Sequence, residues 1–210
     1  MLQKVAESAA RHGLVVAPVG SVFFLFKGKP KLSTKDMDVV IHFEDGDIVT
    51  LEEILKVGQD LGDAKVSDDR ASVIVEIVGS LGLASIDLLR GRERTSGGFL
   101  PRELLRKAAA HGRREGNVLW YPPEFVILLK ADAAIDRTHR AEKGGSHADE
   151  NKIRAEAFTN DTFSQIQWLY DNGNIREKYF REGLLCLKKQ RRIEVAQLLE
   201  SASGGRLKLR

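Results

Sequence analysis

Asp36-Met37-Asp38-Val39-Val40-Ile41 sets two carboxylates at the head of an apolar, β-branched run. A run of that composition reads as a buried strand. In a strand, side chains at i and i+2 share a face. Asp36 and Asp38 therefore project together, about 7 Å apart by strand rise. Carboxylates held that close repel each other. A divalent cation relieves the repulsion, and Mg²⁺ prefers such hard oxygen ligands. The pair points to phosphoryl-transfer chemistry rather than to ordinary surface charge.

Upstream of the pair, Leu14 to Val19 reads as a buried strand running into Gly20-Ser21. Met1 to His12 reads as a helix ended by Gly13. Val22 to Phe26 is wholly apolar, and its place after a Gly turn suggests a short buried helix. Lys27-Gly28-Lys29-Pro30-Lys31 is a basic loop. Downstream, Met37 to Phe43 completes the strand. Thr50 with Glu53 three residues on forms a capping box, opening a helix with Leu51, Ile54, Leu55 and Leu61 as its buried stripe. Ser72 to Val78 and Leu83 to Leu89 read as an antiparallel hairpin across a Gly-bounded turn. Arg90 to Gly98 is a basic, Gly-rich loop.

After about residue 100 the pattern turns helical. Pro101 opens a helix ending near Gly112, and Val118 to Tyr121 reads as a short strand. Pro122-Pro123 starts a long apolar helix through about Ile135. Arg137 to His147 reads as a polar, mobile segment, and the helical pattern that follows breaks near Asn160 and at Asn172-Gly173-Asn174. Ser201 to Arg210 reads as a frayed tail. The expected class is α/β of the α+β kind. A small mixed-sheet core with flanking helices spans 1–115, and an all-α part spans 116–210.

The 210 residues suffice for one large domain, or a core domain plus a smaller one. Charged residues at 30% and hydrophobic ones at 42% give an ordinary globular balance. No apolar stretch approaches the roughly 20 residues of a membrane span, so no membrane partner is expected. Met1 to Arg11 lacks the apolar core of a secretory leader. Cys186 is the only cysteine, which favours a reducing, cytoplasmic setting. Net charge is +3, but ten Lys/Arg against four acids between Arg176 and Arg210 give +6 locally. An anionic partner and a solvated helix face both fit that stretch. His42, His111, His139 and His147 show no zinc-ligand spacing.

A third acid, Asp87 in Ser85-Ile86-Asp87-Leu88-Leu89, stands in a strand otherwise made of core residues. A charge flanked by Ile and Leu needs solvent or a partner. If its strand lies beside that of Asp36, the three carboxylates converge and make a two-metal site. Asp87 would then serve as a metal ligand or as base toward an attacking hydroxyl. Gly20-Ser21 supplies a phosphate cradle, because glycine lets the backbone approach a ligand closely. There is no Walker motif, so the turn is not a P-loop.

Gly20-Ser21, the apolar segment, Thr34-Lys35-Asp36-Met37-Asp38 and Ile86-Asp87-Leu88 resemble the DNA polymerase β-type nucleotidyltransferase superfamily. The likeness is strongest to its branch of minimal nucleotidyltransferases related to AbiEii-type toxins. Pro123-Glu124, Lys130, Arg137 and Asp149 match the later part of that branch's pattern. The matching motifs run from about residue 14 to 150. The spacer from Ser21 to Asp36 is longer than in the family, and the Arg common after the Gly-Ser turn in other branches is missing. The resemblance implies transfer of an NMP from an NTP to a hydroxyl, with Mg²⁺ (or Mn²⁺) at Asp36, Asp38 and Asp87. It implies nucleotide contacts at Gly20, Ser21, Lys35 and Lys130. It leaves the acceptor open between an RNA 3′ end, a protein hydroxyl and a small molecule. A catalytically inactive nucleotide- or RNA-binding module on the same fold, or a toxin of a toxin–antitoxin pair, are the alternatives. Lys27, Lys29 and Lys31, and Arg90, Arg92 and Arg94, read equally as phosphate contacts or as solvated loops. Lys130 reads equally as a snorkelling core lysine, and Asp149 as a helix cap.

Overall fold

The computed structural model describes residues 1–29, 36–67, 72–79, 82–91, 100–173 and 175–209, with the backbone alone at 77–79 and 82–84. Thr34, Lys31, Lys35, Arg92 and Arg94 lie outside the described residues. The chain divides into two compact units, Met1–Pro122 and Pro123–Arg210. Among the described residues, no helix is long and apolar enough to cross a membrane.

The first unit is mixed α/β. Its elements follow in the order α1 (Leu2–Arg11), β1 (Val15–Pro18), α2 (Gly20–Phe26), β2 (Asp36–His42), α3 (Leu51–Gln59), β3 (Asp63–Val66), β4 (Ser72–Gly79), β5 (Gly82–Leu89), α4 (Arg102–Ala110), β6 (Arg113–Glu115) and β7 (Val118–Trp120). The described strands form one sheet in the order β3-β4-β5-β2-β1-β7-β6. The strand β2 is bracketed by β1, antiparallel, and β5, parallel. Val39, Val40 and Ile41 are fully buried although they alternate in direction, so both faces of the sheet are covered at that level. One face carries Met37, Val39 and Ile41 with Val73, Val75, Ile86 and Leu88. It packs on Val5, Ala6 and Ala9 of α1 and on Ile54 and Val57 of α3. The Thr50 hydroxyl accepts from the Glu53 N–H at 3.2 Å, and the Thr50 N–H donates to Glu53 Oε2 at 2.7 Å. This is the expected capping box, which satisfies two end groups of α3. In α2, Val22, Phe23 and Phe24 are buried, but Leu25 and Phe26 are exposed, so the segment is not wholly core.

The second unit is built from α5 (Pro123–Glu142), α6 (Ala148–Asp171), α7 (Glu177–Leu185) and α8 (Lys189–Ala202). Proline at the first position of α5 sacrifices no intrahelical bond. Both long helices outrun their sequence expectation. The segment expected to be polar and mobile from Arg137 continues α5 to Glu142. Polar pairs hold it there: Arg137 donates to Asn151 Oδ1 at 2.8 Å, and Arg140 meets Asp136 at 2.7 Å. Helix α6 passes Asn160 without a break, because a lone Asn costs only tenths of a kcal/mol, roughly, against a packed helix face. It ends at Asn172-Gly173, as expected, where Gly173 takes φ +67°.

The C-terminal segment is docked rather than frayed. Leu207 is fully buried, Arg206 stacks 3.6 Å from the Tyr170 ring centroid, and Arg181 donates to the Lys208 carbonyl at 2.6 Å.

Candidate active site

Strand register assembles the three acids. Asp38 on β2 stands opposite Asp87 on β5, and Asp36 opposite Ser85. The ladder extends outward through Glu76 and Asp63 from Ser85, and through Ile74 and Lys65 from Asp87. Asp36, Ser85, Asp38 and Asp87 thus share one face, with neighbouring strands about 4.8 Å apart. Their alternates Met37, Val39, Ile86 and Leu88 are buried. Asp36, Asp63, Lys65 and Glu76 are exposed, so this part of the acid-bearing face is open to solvent. Like charges placed opposite each other across a strand pair destabilise the sheet. A fold that keeps Asp38 against Asp87 needs a local reason to do so.

Each acid of β2 has a specific neighbour. The Ser85 hydroxyl donates to Asp36 Oδ1 at 2.8 Å. Beside Asp38, the Val19 N–H donates to the Asp38 carbonyl at 3.0 Å, and the chain then turns sharply at Gly20, φ +61°. A β-carbon added at Gly20 would lie 2.6 Å from Asp38 Oδ2. Only glycine admits both that backbone conformation and that approach. The Gly20-Ser21 turn is therefore the first turn of α2 and rests directly on the second acid, with Ser21 partly exposed beside it.

The donors at Asp36, Asp38 and Asp87 are all carboxylate oxygens, the chemistry that Mg²⁺ or Mn²⁺ accepts. Among the described residues, no three His, Cys, Asp or Glu side chains close into a metal-holding group. The register brings the three positions together, while Asp36 is turned to Ser85 and Asp38 to Gly20.

His42, further along the same face of β2, is fully buried and stacks on Tyr121 with ring centroids 5.9 Å apart. Burial lowers its pKa from the ordinary value, although its contact to the Phe43 carbonyl opposes this. A carbonyl only accepts, so Nδ1 carries the proton of the neutral ring. His42 is a core residue rather than a ligand.

The remaining candidates divide by unit. Lys27 lies over the rings of Trp120 and Phe23, 4.5 Å and 5.9 Å from their centroids. In the second unit the Lys130 ammonium meets Asp161 at 3.1 Å and sits 4.3 Å from the centre of the Phe158 ring, with a side chain only 10% exposed. The ammonium of Lys130 is thus engaged by two residues of its own unit. Asp149 lies in the first turn of α6, whose cap is His147, so it supports the helix dipole without capping it.

Much of the C-terminal basic stretch is engaged within its own unit. Arg176 meets the buried Glu124, Arg191 meets Asp132 and Asp136, and Arg192 donates to the carbonyls of Leu184, Leu185 and Leu187 at the end of α7.

Sequence reasoning assigned no role to Ser85. Its signal was available as a hydroxyl two residues before Asp87, hence on the same strand face. Comparison with protein-family models, with curated proteins and with solved structures yields no match to this chain.

Proposed function

We propose that this chain is a metal-dependent nucleotidyltransferase that moves an NMP from an NTP to a hydroxyl acceptor, an RNA 3′ end or a protein side chain. The observation that carries the reading is the in-register pairing of Asp38 with Asp87, with Asp36 on the same face and Gly20 pressed against Asp38. An acceptor hydroxyl oxygen attacks the α-phosphorus, the bond to the β-phosphate oxygen breaks, and pyrophosphate leaves. In this reading Asp87 takes the hydroxyl proton. Asp36 and Asp38 would hold the divalent ion. Mg²⁺, when bound, offsets triphosphate charge and acidifies the attacking hydroxyl. The Gly20-Ser21 turn lets the triphosphate approach the backbone beside Asp38.

The test is incubation of the full chain with each labelled NTP, Mg²⁺ and total cellular RNA and protein. Label is expected on one macromolecular class, with release of pyrophosphate. Asp36→Asn and Asp38→Asn are each expected to reduce transfer to background while leaving the melting temperature near wild type. Unchanged transfer by both variants rules the reading out. Nucleotide binding without pyrophosphate release would favour the inactive binding module instead.

A further inference from the structure

We infer that the end of α2 and the β6–β7 hairpin form a docking surface for unpaired RNA, with Phe26 and Trp120 as stacking rings and Lys27 and Arg113 as phosphate contacts. The surface needs none of the three acids and stands apart from the transfer reading. Helix α2 closes on two apolar residues that are not buried, Leu25 and Phe26, the latter 51% exposed. The Phe26 ring meets the partly buried Trp120 edge-on, with centroids 5.9 Å apart. The fully buried Phe23 lies 6.0 Å from Trp120 on its other flank. A ring fixed in the core thus positions the outer pair before any ligand arrives, which lowers the ordering cost of binding.

Cations stand beside the same rings. Lys27 is exposed, and its ammonium lies 4.5 Å from the centre of Trp120 and 5.9 Å from that of Phe23. Among the described residues, no carboxylate meets it. Arg113 is the register partner of Trp120, so its side chain leaves the hairpin on the same face. It is 84% exposed, and its 3.6 Å contact with the half-exposed Glu115 is a surface pair that holds it only loosely. A cation over an exposed ring is also held weakly. A base can therefore take the place of the Lys27 ammonium on Trp120, and the ammonium can turn to the phosphate.

Rings beside cations fit a strand of bases and phosphates. Every base has a π-face to stack, and the phosphates supply the counter-charge. An apolar helix from a partner protein would leave both cations without one. The strand must be unpaired, because bases within a duplex are stacked on one another. RNA offers free bases in loops and ends.

The experiment uses the full chain with Trp168→Phe, which leaves Trp120 as its one tryptophan. Indole fluorescence is followed while oligouridylate of about ten nucleotides is added. Saturable quenching is expected, and the same RNA annealed to its complement should not quench. Phe26→Ala is expected to weaken binding by about tenfold, as for loss of one stacked base. Phe26→Leu should lose as much, since it keeps apolar bulk without a π-face; a ring needed only for packing would be rescued by leucine. Lys27→Gln and Arg113→Gln should each lower the slope of log affinity against log salt by about 0.7, with the melting temperature unmoved.

No quenching overturns the inference, whether the RNA is unbound or held elsewhere. So does binding that Phe26→Leu leaves at full strength, or that duplex RNA reproduces. Self-association lost in Phe26→Ala, without RNA binding, would make this face a contact between copies and overturns it too. RNA binding as expected, in a chain that transfers no NMP, keeps this surface and rejects the proposed enzyme. Transfer to protein with no RNA bound does the reverse.

Discussion

Asp38 Oδ2 occupies the space that a side chain at Gly20 would take. Alanine at position 20 faces two penalties. Its backbone must hold φ +61°, which costs an L-residue roughly 1–2 kcal/mol. Its β-carbon would also displace the end of a flexible carboxylate rather than rigid backbone, so the acid gives way. The damage should therefore fall on chemistry more than on folding. Gly20→Ala is expected to lower stability by about 1–2 kcal/mol and to cut nucleotidyl transfer by at least about tenfold, since displacement of a reacting group by about 1 Å is that costly. Thermal melts beside transfer assays check this, and a variant with full transfer would remove Gly20 from the site. At this scale the acid pair was legible because strand alternation is local. Asp87 was legible only as a charge out of place between Ile86 and Leu88; its position opposite Asp38 depends on a register that no local rule supplies. Ser85 was legible only as a hydroxyl on the face of Asp87; that it meets Asp36, 49 residues away, depends on the same register.

Along α5 and α8, polar groups are buried in a way that makes the helix pair sensitive to pH. Asp132 is almost fully buried, and Arg191 reaches it at 3.5 Å while also serving Asp136 at 3.2 Å. Burial outweighs that shared guanidinium, and the Asp132 carboxyl is pushed up to about 6. With the folded value above the unfolded one, the stabilising contribution is complete below about pH 4. It is lost as pH rises through about 6. Asp132→Asn cannot ionise and leaves Arg191 its Asp136 partner. Between pH 4 and 7.5 the stability difference between variant and wild type should move in the variant's favour by roughly 3 kcal/mol. Denaturant titrations at both pH values measure it, and a difference independent of pH would contradict the buried, ionising Asp132.

Elements with local signals were read from the chain correctly: the Thr50 capping box, the β4–β5 hairpin, and the helix stop at Asn172-Gly173. Strands β3 and β6 were not. Asp63-Ala64-Lys65-Val66 and Arg113-Arg114-Glu115 are polar edge strands, recruited by pairing with β4 and β7 rather than by their own composition.

Across the whole chain the two units separate the proposed roles. Among the described residues, the hydrophobic cluster that supports the acid-bearing strands runs from Leu2 to Val118, within Met1–Pro122. Asp36, Asp38, Asp87, Gly20 and Ser85 all lie in Met1–Pro122. Lys130 lies in Pro123–Arg210, where Asp161 and Phe158 already hold its ammonium. The proposed metal site should accordingly be a property of the first unit alone, whatever the helical unit adds toward nucleotide or acceptor. A chain of residues 1–122 is expected to melt cooperatively and to bind Mn²⁺ within about threefold of the full chain, since the groups that orient its ligands are all present. Electron paramagnetic resonance titrations of fragment and full chain make the comparison. A folded fragment with Mn²⁺ affinity weakened tenfold or more would put a ligand beyond Pro122 and overturn the assignment of the site to the three paired acids. Equal metal binding with transfer lost would instead give the helical unit a substrate role, and Lys130→Ala in the full chain would then decide whether that lysine carries it.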